Sequence, residues 1–132
     1  MTLLVPDVGE GRMLRAIVNN TAPENLVLRL YTNNITPAET DTAGTYTEAT
    51  GSGYASITLT GASWSFTQGA PSYASYAEQT FTFSGALGNV YGYYLTQLTS
   101  GILMWSERFP SAPYNIVNNG DNIKVTPYLE LA

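Results

Sequence analysis

Two apolar runs joined by a short polar break constrain the fold of this chain more than any other stretch. They lie within Gly88–Phe109 and cover Val90–Gln97 and Ile102–Phe109, with Leu98–Gly101 between them. Runs of this length that are rich in aromatic and aliphatic residues and bounded by turn residues are typical of antiparallel strands. The short break, which ends in glycine, therefore predicts a β-hairpin.

The aromatic rings of this hairpin predict that it forms the centre of the core, because large rings bury much apolar area at a modest cost in side-chain entropy. These rings belong to Tyr91, Tyr93, Tyr94 and Trp105. The register stays open: a four-residue loop pairs Tyr94 with Trp105, whereas a loop one residue shorter or longer brings different faces together. In one register Arg108 lies over the ring of Tyr91 in a cation–π contact, and in another its side chain is exposed.

The N-terminal part of the chain predicts one helix. Thr2–Val5 is a short apolar arm that stops at Pro6. The next four residues, beginning at Asp7, have the form of a capping box, an acidic N-cap with Glu10 three residues later. Apolar residues then recur at helical spacing, so an amphipathic helix is predicted over Val8–Asn19. The recurring residues are Met13, Leu14, Ile17 and Val18.

The rest of the chain alternates between short apolar runs and turn residues. The strands predicted outside the hairpin are Asn25–Thr32, Tyr54–Thr60, Ser63–Thr67, Tyr73–Ser84 and Asp121–Leu131. Pro127 indicates an edge or a bulge in the last of them. Asn33–Gly53 is predicted as a long loop that is either a binding element or mobile, and Ser111–Gly120 is predicted as a second loop.

The number and spacing of these strands favour an all-β fold. About seven or eight short strands without helices between them indicate an antiparallel sandwich or barrel. We expect a jelly-roll-like β-sandwich with one short N-terminal helix, in a single domain that covers residues 1–132. Within it, residues 1–20 form the arm and helix, and residues 33–53 form the long loop.

Charged residues are scarce, at 11% of the chain against roughly 25% in an average domain. A soluble monomer normally carries many surface charges, so neighbouring subunits are expected to cover much of this surface, or the protein works outside the cell. The alternative is simply a neutral surface. The net charge of −5 and the scattered cations argue against nucleic-acid binding.

No apolar run approaches the roughly 20 residues that a membrane-spanning helix requires, so no membrane association is predicted. No basic-then-apolar signal peptide opens the chain either. An extracellular role is therefore expected to be reached without a cleaved signal, for example by release inside an assembled particle.

The absence of histidine and cysteine excludes several kinds of catalysis. It rules out a Ser-His-Asp triad, a Cys-His dyad and a typical zinc site, and no phosphate-binding glycine motif is present. The remaining possibility is a carboxylate pair of the glycosidase type, for which Glu78 and Glu107 are the candidates on strands. The alternative, which we prefer, is that both are solvent-facing strand residues. No catalytic residue, cofactor or metal is predicted.

Two further binding sites were weighed from the residue types. Glu39, Asp41 and Glu48 lie in the long loop and have the oxygen ligands that calcium prefers, but they do not match the pattern of a dedicated calcium loop. Aromatic rings on a β-sandwich can also form a platform on which sugars stack. The candidates for such a platform are Trp64, Tyr73, Tyr76, Tyr91, Tyr93 and Trp105, although most are expected to fill the core.

Four segments carry a resemblance to a known group of proteins. They are Glu24–Asn34 (ENLVLRLYTNN), Gly53–Ser65 (GYASITLTGASWS), Val90–Thr96 (VYGYYLT) and Gly101–Phe109 (GILMWSERF). In this order the chain resembles small virion proteins of tailed bacteriophages, including phages of cyanobacteria, some of which look like capsid decoration, or cement, proteins. The resemblance implies a small β-sandwich that forms a homo-oligomer, often a trimer, on the outside of an icosahedral shell. It supplies no catalytic residues.

The expected function is therefore that of a non-enzymatic decoration subunit on the capsid exterior, which binds the major capsid protein and stabilises the shell. The first alternative is a receptor- or glycan-binding module of a tail or head fibre, and the second is a carboxylate hydrolase. The expected capsid or subunit interface lies on the apolar arm and the helix, because a terminal apolar segment is rarely left in water. Its residues are Leu3, Leu4, Val5, Met13 and Ile17. Alternatively, the arm packs on its own domain.

Overall fold

A computed structural model of the chain describes residues 3–131, in which one helix, α1 (Asp7–Ile17), precedes eleven strands. The strands are β1 (Leu26–Tyr31), β2 (Ile57–Leu59), β3 (Ser65–Thr67), β4 (Ser72–Ser75), β5 (Gln79–Thr82), β6 (Gly88–Val90), β7 (Gly92–Gln97), β8 (Leu103–Arg108), β9 (Tyr114–Ile116), β10 (Asn122–Val125) and β11 (Tyr128–Leu131). Short 3₁₀ turns occupy Ala43–Thr45 and Gly61–Ser63. Every strand pair is antiparallel, so the predicted all-β antiparallel class with one helix is confirmed.

The strands form one sheet of four and three smaller sheets. Their orders are β2-β1-β7-β8, β11-β4-β3, β10-β5 and β6-β9. The main core collects buried side chains from strands of the four-stranded sheet and of both two-stranded sheets. All six residues of β7 are buried, as expected for a strand at the centre of the core.

The central hairpin is confirmed, and a bulge sets its register. At the turn the pairing is that of a four-residue loop, with the Gln97 N–H donating to the Ile102 carbonyl. The pairing then shifts, so that Leu95 rather than Tyr94 faces Trp105. One extra residue on β8 produces this shift, as in a β-bulge. Sequence periodicity contains no information about such an insertion.

The two long strands predicted at Tyr73–Ser84 and Asp121–Leu131 are each divided in two. β5 pairs with β10, and β4 pairs with β11, so the two segments run side by side as a ribbon that changes sheet in the middle. The break falls at Pro127, which has no N–H to donate to a ladder; its carbonyl accepts a hydrogen bond from the Tyr76 N–H. At this proline, where the sequence predicts an edge or a bulge, the strand leaves one sheet and enters another.

Some predicted boundaries were wrong. β9 lies inside Ser111–Gly120, which was predicted as a loop, and it pairs with β6, whose last residue was assigned to the hairpin. Both strands have only three residues, which is too short for a reliable alternation pattern. In addition, β2 and β3 are shorter than predicted, because Tyr54–Ser56 and Ser63–Trp64 lie outside them.

The helix begins and ends earlier than predicted, and the proposed capping box does not form. Pro6 occupies the N-cap position, and among residues 3–131 no side chain caps the helix. Asp7 is already helical, and its N–H donates to the Glu39 carbonyl in the long loop. At the other end, Asn19 adopts a left-handed conformation with φ of 58°. Asparagine tolerates this conformation, which is incompatible with a continuing helix.

A glycine docks the helix onto the sheet. Gly9 is the buried residue of α1, and a Cβ atom built there would collide with the backbone carbonyl oxygen of Met104 on β8. The glycine allows close backbone contact at this end of the helix, and further along it Met13 packs against the core. The apolar residues Leu14, Ile17 and Val18 remain exposed.

Replacing Gly9 by alanine is expected to destabilise the fold by about 1–3 kcal/mol, because the new methyl group must push the helix away from β8. Gly11→Ala is the matched control in the same helix, since no atom lies within 4 Å of a Cβ there. That change is expected to stabilise by up to about 1 kcal/mol through helix propensity. Urea unfolding of both variants measures the difference. Equal effects of the two substitutions would contradict the close contact at Gly9.

Candidate functional site

The largest exposed apolar feature of the helix is a stripe that we call the helix face, made of Leu14, Ile17 and Val18. These side chains are 65%, 82% and 71% exposed. Because residues three and four apart lie on the same side of a helix, the three form one continuous surface. Isolated exposed apolar residues are common, whereas a contiguous group of this kind marks an interaction site.

A second apolar surface lies on the three-stranded sheet. Phe66 on β3 pairs with Ala74 on β4, which pairs with Leu129 on β11, so their side chains form a row across the sheet. Residues directly opposite one another on antiparallel strands project from the same face. Phe66, at one end of this row, is 78% exposed.

An apolar trough separates the helix from this sheet. Its volume is about 380 Å³, and a second hollow of about 340 Å³ on the same sheet reaches the exposed Leu131. Phe66 lines both hollows. The most buried residues that line the trough are Leu59, Trp105, Gln97 and Met104. The indole N–H of Trp105 is buried and has no hydrogen-bond partner among the residues that the structure describes.

The charged groups that line the trough neutralise each other. Arg12 on the helix and Glu24 form an ion pair at 2.9 Å. Glu24 also accepts backbone N–H bonds from Thr99 and Ser100 at the tip of the central hairpin. The bond from Ser100 is the main reason that the pKa of Glu24 lies below its usual range. This cluster joins helix and hairpin and adds no net charge.

The long loop packs against the domain through a group of tyrosines. Tyr46 stacks on Tyr94 with a ring separation of 4.9 Å and meets Tyr31 edge-on. Its hydroxyl donates to the buried carboxylate of Asp41 at 2.8 Å and lies 2.8 Å from the hydroxyl of Ser106 on β8. Burial raises the pKa of Tyr46. Loop and sheet are therefore joined by a buried polar network as well as by apolar contact.

No family model, curated protein or solved structure matches this chain. Within residues 3–131, no helix has the length and apolarity needed to cross a bilayer.

The predicted interface residues do not lie together on one exposed surface. Leu4 pairs with Ser106 through two backbone hydrogen bonds along the outer edge of β8, and Leu3 and Val5 pack against the core. Met13 is partly buried, and Ile17 is 82% exposed. Thr2, which was predicted to belong to the arm, lies outside the described residues. Whether these residues contact a partner remains a prediction, and sequence reasoning missed Phe66 as part of an apolar surface.

Two of the three loop carboxylates considered for calcium already have other partners, whereas Glu39 contributes a backbone carbonyl that accepts a hydrogen bond from the Asp7 N–H. Glu48 accepts hydrogen bonds from the Arg29 guanidinium and from the Tyr54 hydroxyl. Asp41 accepts from Tyr46 and from the Ala38 N–H. Among residues 3–131, no three potential metal-binding side chains are gathered as a metal site requires. The calcium hypothesis therefore has no support in the geometry.

The two carboxylates considered for catalysis also occupy unlike positions. Glu107 lies on β8 and accepts a hydrogen bond from the Tyr93 hydroxyl at 3.0 Å. Glu78 is exposed and lies between β4 and β5, so its placement on a strand was wrong.

Three of the six aromatic rings proposed for a sugar platform lie together, because Trp64 meets Tyr76 and Trp105 edge-on at ring separations of 5.2 Å and 6.2 Å. Tyr93 and Trp105 are buried in the core, while Tyr73 stacks on Tyr128. Of the two alternatives left open for Arg108, the structure shows the contact with Tyr91, with the guanidinium 5.1 Å from the ring centre.

Proposed function

We propose that this protein is a non-enzymatic structural subunit of a bacteriophage virion, a decoration or cement protein that binds the outside of the major capsid lattice. The observation that carries the proposal is the uncovered helix face. A chain with few charges that leaves Leu14, Ile17 and Val18 in water presents an adhesive surface. The resemblance of four of its segments to small virion proteins supports the same role.

Adhesion through the helix face has a direct physical mechanism. Burial of apolar surface is worth roughly 25 cal/mol per Å², and the helix is tied to the hairpin tip by the ion pair of Arg12 with Glu24. A partner that covers the helix therefore also restrains the centre of the domain. The proposal includes a jelly-roll-like connection of the strands and a homotrimer on the shell. Both can be checked in an electron-microscopy map of decorated particles.

Substitution of the helix face tests the proposal. Val18→Asp is expected to weaken binding to undecorated capsids about 30-fold, since a buried charge at the centre of an interface costs about 2 kcal/mol or more. The matched control is Val117→Asp, the same change at a 51% exposed valine in the turn after β9. Cosedimentation with capsids measures both. Equal binding by the two variants would remove the helix face from the proposal.

The number of copies per virion separates the proposal from its alternative. A decoration protein is expected in hundreds of copies, because it follows the capsid lattice, whereas a receptor- or glycan-binding module of a fibre is expected in few. A stained gel of purified particles gives this number.

A further inference from the structure

We propose that the trough is a self-association surface, in which the Phe66 ring of one copy enters the trough of a second copy of this chain. The trough shares Ile17 with the helix face but not Leu14 or Val18, and self-association through it holds whether or not the protein decorates a capsid. The exposed Phe66 side chain and the two hollows that it lines lie on the same surface of the molecule. An apolar side chain beside apolar hollows fits a hollow on a second copy of the same surface, so this surface is complementary to itself.

The exposed edge of the three-stranded sheet also indicates that the partner is a second copy of this chain. β3 is the outer strand of its sheet, and all three of its residues are exposed. Monomeric proteins usually protect such an edge with charge, proline or a covering segment. Here no charged residue occurs anywhere in residues 49–77, a stretch that includes β2, β3 and β4.

Charge also indicates a second copy as the occupant. Each chain has a net charge of −5, so two copies repel each other over most of their surface. They approach most favourably where neither carries charge, and the trough satisfies this because its only ionic groups, Arg12 and Glu24, are paired. A strongly basic partner would instead select a surface with unpaired carboxylates.

The amount of uncovered apolar surface is in the range of a real interface. Ile17, Phe66 and Leu131 are 82%, 78% and 73% exposed around the two hollows. Together they present on the order of 500 Å², a large part of the roughly 800 Å² that each partner contributes to a standard interface. The walls of the hollows add further area when a ring enters.

The mass of the full chain in solution tests the proposal. Sedimentation velocity between about 1 and about 100 µM is expected to give an assembly of two or three chains, with 14.3 kDa per chain. Phe66→Asp is expected to weaken association at least about 30-fold and leave a monomer. Val117→Asp, an apolar-to-Asp change elsewhere on the surface, is expected to assemble like the wild type.

Three results would overturn self-association at the trough: a wild-type monomer at the highest concentration, an assembled Phe66→Asp variant, or a Val117→Asp control that dissociates. Leu131→Asp provides a second, independent variant with the same expected loss in case Phe66→Asp does not fold, which circular dichroism establishes. Val18→Asp separates this proposal from the capsid proposal, since it is expected to lose particle binding and to keep its mass. Glycan or peptide binding by a wild-type monomer would assign the trough to another ligand.

Discussion

Raising the pH from about 9 to about 11 is expected to unfold this protein in one cooperative step, because its buried tyrosines cannot ionise in place. Burial raises the pKa of Tyr31 and Tyr94 to about 12. Burial also raises the pKa of Tyr46, Tyr54 and Tyr93. In the unfolded chain all five titrate near the ordinary tyrosine pKa of about 10.

The direction of the effect follows from these pKa values. Below pH 10 the tyrosines are neutral in both states, and their full contribution to stability is present. Between pH 10 and pH 12 only the unfolded chain releases their protons, so stability falls as pH rises. At pH 11 the ionisation of one such tyrosine in the unfolded chain lowers the free energy of unfolding by about 1.4 kcal/mol. Five of them lower it by about 7 kcal/mol, which is comparable with the total stability of a small domain.

Phenolate absorbance and circular dichroism, followed through the same titration, measure this transition. The internal tyrosines are expected to ionise together with the loss of structure. Tyr94→Phe is the informative variant, because the hydrogen bonds of the described residues do not include the Tyr94 hydroxyl. Between pH 8 and pH 11 the free energy of unfolding of this variant is expected to fall by about 1.4 kcal/mol less than that of the wild type. A smooth titration of all ten tyrosines near pH 10 in a chain that stays folded would contradict the burial of this group.

Gly92→Ala is expected to destabilise the protein by about 3 kcal/mol or more, because the strand has no room for a methyl group. A Cβ atom at this position would collide with the backbone carbonyl oxygen of Glu107 and with the ring of Tyr31. Tyr31 pairs directly with Gly92 across β1 and β7, and its ring occupies the space that the glycine leaves. The Glu107 oxygen belongs to the backbone and the Tyr31 side chain is fully buried, so relief requires the sheet to move.

Gly85→Ala is the matched control for this prediction. It also lies between strands of the core, yet no atom is within 4 Å of a Cβ there and its φ is not positive. Its effect is expected to stay within about 0.5 kcal/mol. Guanidinium unfolding monitored by tryptophan fluorescence compares the two variants. A Gly92→Ala variant as stable as Gly85→Ala would show that the sheet at Tyr31 is looser than the structure indicates.

The parts of the fold that were predictable are those encoded by neighbouring residues. The hairpin at Gly88–Phe109 and strand β1 were evident from apolar runs bounded by turn residues, which is local information. The change of sheet at Pro127 was signalled only as an edge or a bulge, because the missing N–H is local but the partner strand is not. The three-residue strands β6 and β9 had no pattern long enough to detect.

The candidate surfaces divide in the same way. The spacing of Met13, Leu14, Ile17 and Val18 indicated an apolar stripe on a helix, yet amphipathic spacing usually means that the stripe faces the core. With Gly9 placed against β8, Met13 packs against the core while Leu14, Ile17 and Val18 remain in water. Phe66 could not be recognised at all, since an aromatic residue in a short strand normally points inward.

By itself, the sequence determined the antiparallel β class, the hairpin that forms the centre of the core and the shortage of charge, because these depend on residue type and on spacing along the chain. The tertiary structure decided the hairpin register, through one bulged residue on β8 that no periodicity reveals. It also decided which apolar residues are uncovered. Burial depends on the close approach of segments that are distant in the sequence, such as Gly9 to Met104.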